Sequence, residues 1–388
     1  MAIPEGLELT PFNDAFQADP FAVYAELREA APLYREQNSM YTGESWTASS
    51  YELVERLLKD DRLSSDPRKI GMALDPRADN TVTRRPPDMI NLDNPEHRRF
   101  RGAVQRAFTP KSVERMRPRI REVFDGLVDN VGDAFDVVTA VAKPLPTIVI
   151  AEYIGVDASD HEKFKAWTDD LGLRGYPMPT PEQWETVCAS DAALRDYMQN
   201  VVASRRDHPT DDLISRLLET ADLSETEIVD MCYLLIGAGN FTTTDLISNA
   251  LLMLLQQGAE PADVPAAIEE CLRLDPPSVS VRRFVLEDVE VEGQVIPRGS
   301  VVSLILAAAN HDPAVFDSPD DFQPGRDVSH LAFGRGIHHC LGAPLARLEA
   351  EVAITRFFER FPKARLVGHK RTRRMAFRGC ANLEVRVD

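Results

Sequence analysis

The sequence predicts a mainly α-helical fold with a minor β-sheet, and three observations carry the prediction. Amphipathic helical patterns dominate from about Pro95 to Gln257, as in VERMRPRIREVFDGLVDNV and DDLISRLLETA, where apolar residues recur at three- and four-residue steps. Alternating, β-rich stretches lie only outside that region. One helix outruns the rest, from a capping-box start at Ser224 and Glu227 to a glycine stop at Gly258.

Taken in order, LYREQNSMYTGESWTAS near the start reads as a hairpin, and the helical region follows it. The long helix is expected over about 225–257; at about 1.5 Å per residue it would run on the order of 45 Å, enough to cross a domain. Its middle, LLIGAGNFTTTDLI, places Gly237 and Gly239 where a helix should be strongest, and each interior glycine costs about 1 kcal/mol against alanine. Small residues there suit either close packing with another helix or a local widening against a flat ligand. Further on, VEVEGQVIPRGSVVSLIL sets Gly293 and Pro297 as breakers between short strands. No repeat or Gly/Ser linker cuts the chain, and its length alone suggests two or three domains as a weak prior.

Composition is that of a folded enzyme-sized protein, with 44% hydrophobic and 27% charged residues in 388. A formal charge of −18 argues against a nucleic-acid binder, since neutralising phosphate needs an excess of Lys and Arg. The five cysteines, Cys188, Cys232, Cys271, Cys340 and Cys380, are scattered and odd in number, which suits a reducing compartment. With no apolar run of about 20 residues and no basic, apolar leader at the start, the expectation is a cytoplasmic protein without a membrane anchor.

The most informative stretch is LAFGRGIHHCLGAPLARLEAEVAI, residues 331 to 354. Gly334 and Gly336 bracket Arg335 as in a tight turn that needs positive φ, and Cys340 falls where this loop feeds a periodic helix carrying Leu345, Leu348 and Val352. The positive end of a helix and its unpaired N–H groups stabilise a thiolate. Local chemistry alone thus marks Cys340 as a candidate reactive thiol.

Phe333, Gly334, Gly336, His338, Cys340 and Gly342 match, without a gap, the FGxGxHxCxG haem-binding signature, and in this the chain resembles the cytochrome P450 family. The resemblance implies a single triangular, mainly helical domain over 1–388 holding haem b (iron protoporphyrin IX), with Cys340 as the proximal iron ligand, Phe333 packed beside it and Gly342 admitting the porphyrin. A thiolate ligand pushes electron density to iron, and nearby N–H groups tune it.

Three further segments agree in order. Glu270 and Arg273 form the family's ExxR pair, three residues apart and so on one face of a helix. Arg326, in DDFQPGRD, falls where a third member of a buried supporting network is expected. In NLDNPEHRRFRGAVQRAF, His97 and Arg101 are similar to the family's propionate contacts, as are Arg283 and His330. GAGNFTTT aligns with the family's oxygen-pocket stretch, placing Ala238 and Gly239 against the haem and Thr242 beside dioxygen.

One residue departs from that pattern. The acid expected before the threonine is Phe241 here, which can neither donate nor accept a proton. Asp245, one turn on, could substitute through water; Thr242 and ordered water could suffice, or the substrate could supply a polar group; or the reaction could be an oxidative coupling or other radical reaction with a different proton requirement.

The resemblance also implies electrons from a separate ferredoxin and ferredoxin reductase. A basic block of Arg98, Arg99, Arg101, Arg106, Lys111, Arg115, Arg117, Arg119 and Arg121, with Arg335 and Arg347, is expected to steer an acidic ferredoxin to the proximal face. Substrate contacts are expected in the Ser65 to Ile90 loop, around Leu171 to Thr180, where Arg174, Tyr176 and Met178 suggest a mobile lid, at Phe241, along Val279 to Val281 and near Gly379 to Ala381. The expected reaction inserts one atom of O2 into a small hydrophobic or aromatic molecule. C–C or C–N coupling is the alternative, and a catalytically silent haem sensor a remote third reading.

Overall fold

The computed structural model describes residues 13–36, 44–72, 88–175, 179–220, 222–258, 261–374 and 376–388. They form two compact units, each assembled from separate stretches of chain. Of the described residues, the first comprises 13–36, 44–72, 88–97, 272–340 and 376–377; the second comprises 98–175, 179–220, 222–258, 261–271, 341–374 and 378–388. Of the expected substrate segments, 73–87 and Tyr176 and Met178 lie outside the described residues.

The first unit is built on a five-stranded sheet. Its order is Leu33–Arg35, Ser45–Ala48, Val301–Leu304, Val281–Val285, Leu63–Ser64. The first two strands form the expected hairpin, antiparallel with Leu33 opposite Ala48, while Ser45–Ala48 runs parallel to Val301–Leu304. Helix Tyr51–Leu58 buries Leu53, Val54, Leu57 and Leu58, the i, i+1, i+4, i+5 stripe of a helix lying on a core. Those side chains join Leu33, Trp46, Val285, Val302 and Leu304 in one apolar cluster. A separate hairpin pairs Val289–Val291 with Gln294–Ile296, turning at Glu292 and Gly293, both at positive φ.

The second unit is helical around Glu225–Gln257, whose bounds match the sequence expectation. Ser224 and Glu227 form the capping box, and Gly258 ends the helix in the left-handed conformation at φ 74°. Most of its residues are buried on every side, as a central helix requires. Helices Pro144–Ile154, Pro181–Asp207 and Ala343–Arg360 pack against it. A three-stranded antiparallel sheet orders Ala134–Asp136, Cys380–Arg386 and Arg365–Arg371. The strand Ala134–Asp136 sits within the stretch the sequence read as helical; its partner lies at the other end of the chain, so no local pattern announces it. None of the described helices is long and apolar enough to cross a membrane.

Helix Ala343–Arg360 buries Leu345, Leu348 and Val352 as expected, and Glu349 lies on the same stripe, 2% exposed. Its Oε2 has no hydrogen-bond partner among the described residues. Burial pushes its carboxyl well above the ordinary carboxylate range. The folded state therefore holds a proton that the unfolded chain releases as pH climbs past about 4.5, so this group's contribution to stability is lost as pH rises from there. Denaturant titrations of Glu349→Gln and the parent from pH 4 to pH 8 are expected to diverge upward, the variant losing less stability by about 1 kcal/mol or more. Parallel curves would contradict this.

Candidate functional site

The glycines around Arg335 adopt the conformation the sequence demanded. Gly334 and Gly336 sit at φ 68° and 72°, and a Cβ on Gly336 would come within 3.0 Å of the Leu58 carbonyl oxygen. The Gly334 N–H donates to the Leu331 carbonyl at 2.8 Å, the His339 N–H to Gly336 at 3.1 Å, and the Cys340 N–H to Phe333 at 2.9 Å. These bonds fold the loop back on itself and present Cys340 at its end, two residues before the Gly342 N-cap of helix Ala343–Arg360. Cys340 is exposed, whereas Cys232, Cys271 and Cys380 are buried and Cys188 is intermediate. A thiol at a loop end and accessible is a ligand geometry; the buried three are small apolar residues.

The same unit collects buried cationic and imidazole groups. His97, His330 and Arg283 are all buried, and the His97 and His338 rings lie 4.4 Å apart. The His330 Nδ1 accepts from the Ala332 N–H at 3.2 Å, and its ring lies 6.0 Å from that of Phe333. Arg283, on strand Val281–Val285, donates to the Arg282 carbonyl at 2.9 Å and meets no carboxylate at ion-pair distance among the described residues. Desolvation pushes its guanidinium down to about 10, with Asp93 opposing the shift from a distance. A buried cation lacking a carboxylate is costly unless a ligand supplies one. This set fits a ligand with two carboxylates, which haem carries. Arg101 lies on the same helix as His97, Glu96–Val104, but in the second unit.

Arg273 is almost fully buried and donates to the carbonyls of Asn310, Pro319 and Asp321 at 2.9, 2.6 and 3.1 Å, with its guanidinium over the Phe316 ring. Arg326 reaches the same loop, donating to Asp317, Ser318 and Asp321. The two arginines thus converge on the Asp321 carbonyl. Glu270, three residues before Arg273 on its helix, is buried as well.

On the long helix, Thr242 donates its hydroxyl to the Ala238 carbonyl at 2.7 Å, the back-bonding of a helical threonine. Asn240 accepts from the Thr147 hydroxyl at 3.0 Å, and a Cβ on Gly239 would meet Ile150 at an ordinary 3.5 Å. Close packing on helix Pro144–Ile154 is therefore one reason for the small residues. Phe241 is accommodated by another glycine: a Cβ on Gly172, at the end of helix His161–Gly172, would lie 3.0 Å from the ring edge.

Three expectations are corrected by the geometry. Asp245 is not placed as a water-linked proton carrier: it is 1% exposed and both carboxylate oxygens accept from Arg374 Nη2, at 2.5 and 2.7 Å. Arg174 is not the loose polar element of a lid, since it donates to Asp191 and to the Tyr233 hydroxyl, both at 2.9 Å. The basic block is in part paired within the chain rather than wholly a free positive surface. Arg99 pairs with Glu227, Arg117 with Glu114 and Glu351, Arg119 with Glu122 and Glu152, Arg335 with Glu55 and Arg347 with Glu269. Sequence reading missed Glu349, Gly172 and Arg374. Of these only Glu349 carried a local signal, its place on the apolar stripe.

Comparison with known proteins agrees with this geometry. Residues 264–371 match the family model described as Cytochrome P450. The chain is 37% identical to "Cytochrome P450 107B1" of Saccharopolyspora erythraea, covering 100% of this chain and 99% of that protein. It is 37% identical to "Cytochrome P450 monooxygenase PikC" of Streptomyces venezuelae, over 93% and 88% of the two. Among solved structures it is similar to P450BioI in complex with hexadec-9Z-enoic acid ligated acyl carrier protein, at TM-score 0.87 and 33% identity, covering 96% of this chain and 99% of that one. Full-length likeness at these identities, with a cysteine loop of the family's form, places this chain in the cytochrome P450 family of haem-dependent monooxygenases.

Proposed function

We propose that this chain binds haem b through Cys340 and inserts one oxygen atom from O2 into a small hydrophobic molecule, with electrons from a separate ferredoxin and its reductase. The exposed thiol of Cys340, held at the end of the folded-back loop, is the observation that carries the reading. When bound, the haem supplies dioxygen activation. Each further step belongs to side chains of this chain. His97, Arg101, Arg283 and His330 would hold the propionates, which would give Arg283 the carboxylate it lacks. Phe333, Gly342 and His338 line the proximal side. Glu270, Arg273 and Arg326 brace the approach to the cysteine loop. The hydroxyl of Thr242, which donates to the Ala238 carbonyl, would on release from it hold a proton toward the distal side of the site.

Phe241 favours a dry distal surface and an apolar guest, in keeping with the fatty acyl ligand named for the solved relative. With Asp245 held by Arg374, proton delivery falls to Thr242 and ordered water. The absent acid also motivates the second reading, oxidative coupling of a biosynthetic intermediate. Turnover under isotopically labelled dioxygen separates them: insertion is expected to place label in the product, and an unlabelled oxidised product would overturn insertion. Ferredoxin docking is supported less by the paired arginines than by Arg98, Arg106 and Arg115, so the rate of electron transfer is expected to fall only modestly with salt, about tenfold or less between 50 and 500 mM.

A further inference from the structure

On the proposed-function reading that Thr242 borders the distal pocket, we infer that Asp245 is a positioning residue: with Arg374 and Gly379 it clasps the end of the C-terminal hairpin against the long helix and so sets which ligands fit beside Thr242.

Asp245, Ser248 and Asn249 stand at i, i+3 and i+4, one face of the long helix, and all three are buried. Each holds the chain that links strands Arg365–Arg371 and Cys380–Arg386. Asp245 accepts twice from Arg374 Nη2, which also reaches the Thr372 hydroxyl at 3.3 Å. Asn249 donates to the Arg378 carbonyl at 3.0 Å and accepts from Arg371 at 2.6 Å. The Ser248 hydroxyl accepts from the Cys380 N–H at 3.4 Å. Across the hairpin, the Thr372 N–H donates to the Gly379 carbonyl at 3.0 Å.

Gly379 is the tightest point. A Cβ there would sit 1.8 Å from Asp245 Oδ1 and 2.4 Å from Cγ, so the backbone rests directly on the carboxylate. Asp245 lies three residues past Thr242, a rise of about 4.5 Å. The fastened hairpin end therefore meets the helix one turn from the distal threonine. A buried ion pair adds little stability over a neutral pair of similar size, because desolvation offsets the attraction. What it adds here is a single geometry, with two oxygens on one guanidinium nitrogen and no room for a side chain behind them. Loosening the clasp would let residues 378–380 shift one helical turn from Thr242, changing the fit of a bulky ligand beside it more than that of a small one.

The test compares two nitrogen ligands of ferric holoprotein, imidazole and 4-phenylimidazole, by their Soret shifts, in Asp245→Asn, Arg374→Gln, Gly379→Ala and the double variant Asp245→Asn/Arg374→Gln. Each single variant is expected to weaken 4-phenylimidazole roughly tenfold or more while imidazole changes about twofold or less. The double variant removes both charges and is expected to regain parental stability yet keep the altered ratio of affinities, with faster amide exchange at Thr372 and Cys380. A double variant with the parental ratio would overturn the inference, since the clasp would then be structural only. An equal loss of both ligands in every variant would overturn it too. If imidazole fails to shift the parent, the haem reading itself falls, and a parent that binds both ligands alongside variants of unchanged ratio isolates failure of the inference alone.

Discussion

Arg273→Ala is expected to destabilise the protein by about 3–5 kcal/mol, enough to remove a third or more of the stability of an ordinary domain. The guanidinium is 1% exposed and satisfies the carbonyls of Asn310, Pro319 and Asp321. Truncation leaves the buried Asn310 carbonyl and the half-buried Pro319 carbonyl short of a donor, at about 1–3 kcal/mol each before relaxation, while the Asp321 carbonyl keeps Arg326, and it opens a cavity beneath Phe316. Arg273→Lys should recover little, because one ammonium cannot reproduce a planar fork that reaches three carbonyls. Denaturant titration measures the loss; a change under about 1 kcal/mol for Arg273→Ala would show that the loop 317–321 is held by other means.

Arg283→Met is expected to act with opposite sign on the two forms of the protein. Without cofactor, the side chain is a desolvated cation whose one hydrogen bond among the described residues goes to its neighbour's carbonyl. Its folded pKa, pushed down to about 10, lies below that of the unfolded chain, so at neutral pH the charge opposes folding, and stability from this group returns only as pH climbs above about 10. Methionine removes the charge and keeps the apolar volume, so the apoprotein should gain about 1–3 kcal/mol. In the loaded protein the same change removes a charge-assisted bond to a propionate, and haem transfer to an acceptor protein should quicken by about tenfold or more. Thermal melts of the apoprotein and haem-transfer kinetics read the two effects separately. A variant that destabilises the apoprotein, or that retains haem like the parent, contradicts this account of Arg283.

Where sequence and structure agree, the signal was local. The capping box at Ser224 and Glu227, the stop at Gly258 and the paired glycines about Arg335 each act over a few residues, and each stands where the sequence pointed. Strand pairs were legible when one turn joined them, as at Glu292 and Gly293. They were not when the partner was remote, as for Ala134–Asp136 against Cys380–Arg386. The errors have the same origin. Asp245 looked available because its partner, Arg374, is 129 residues away. The arginine-rich block looked like a wholly free positive surface because Glu152, Glu227 and Glu351, which pair with part of it, are supplied by other helices. Phe241 looked like a gap in the chemistry until Gly172 appeared beneath it; a position that lacks its usual acid has become a packing contact between two helices.

The central claim is that Cys340 binds the iron as a thiolate, and the absorption spectrum of the reduced carbonyl complex tests it most directly, with the parent beside Cys340→Ser. The account predicts the strongly red-shifted Soret band of thiolate ligation in the parent and its loss in the variant. A parent lacking that band, or a Cys340→Ser protein that keeps it, would contradict the account.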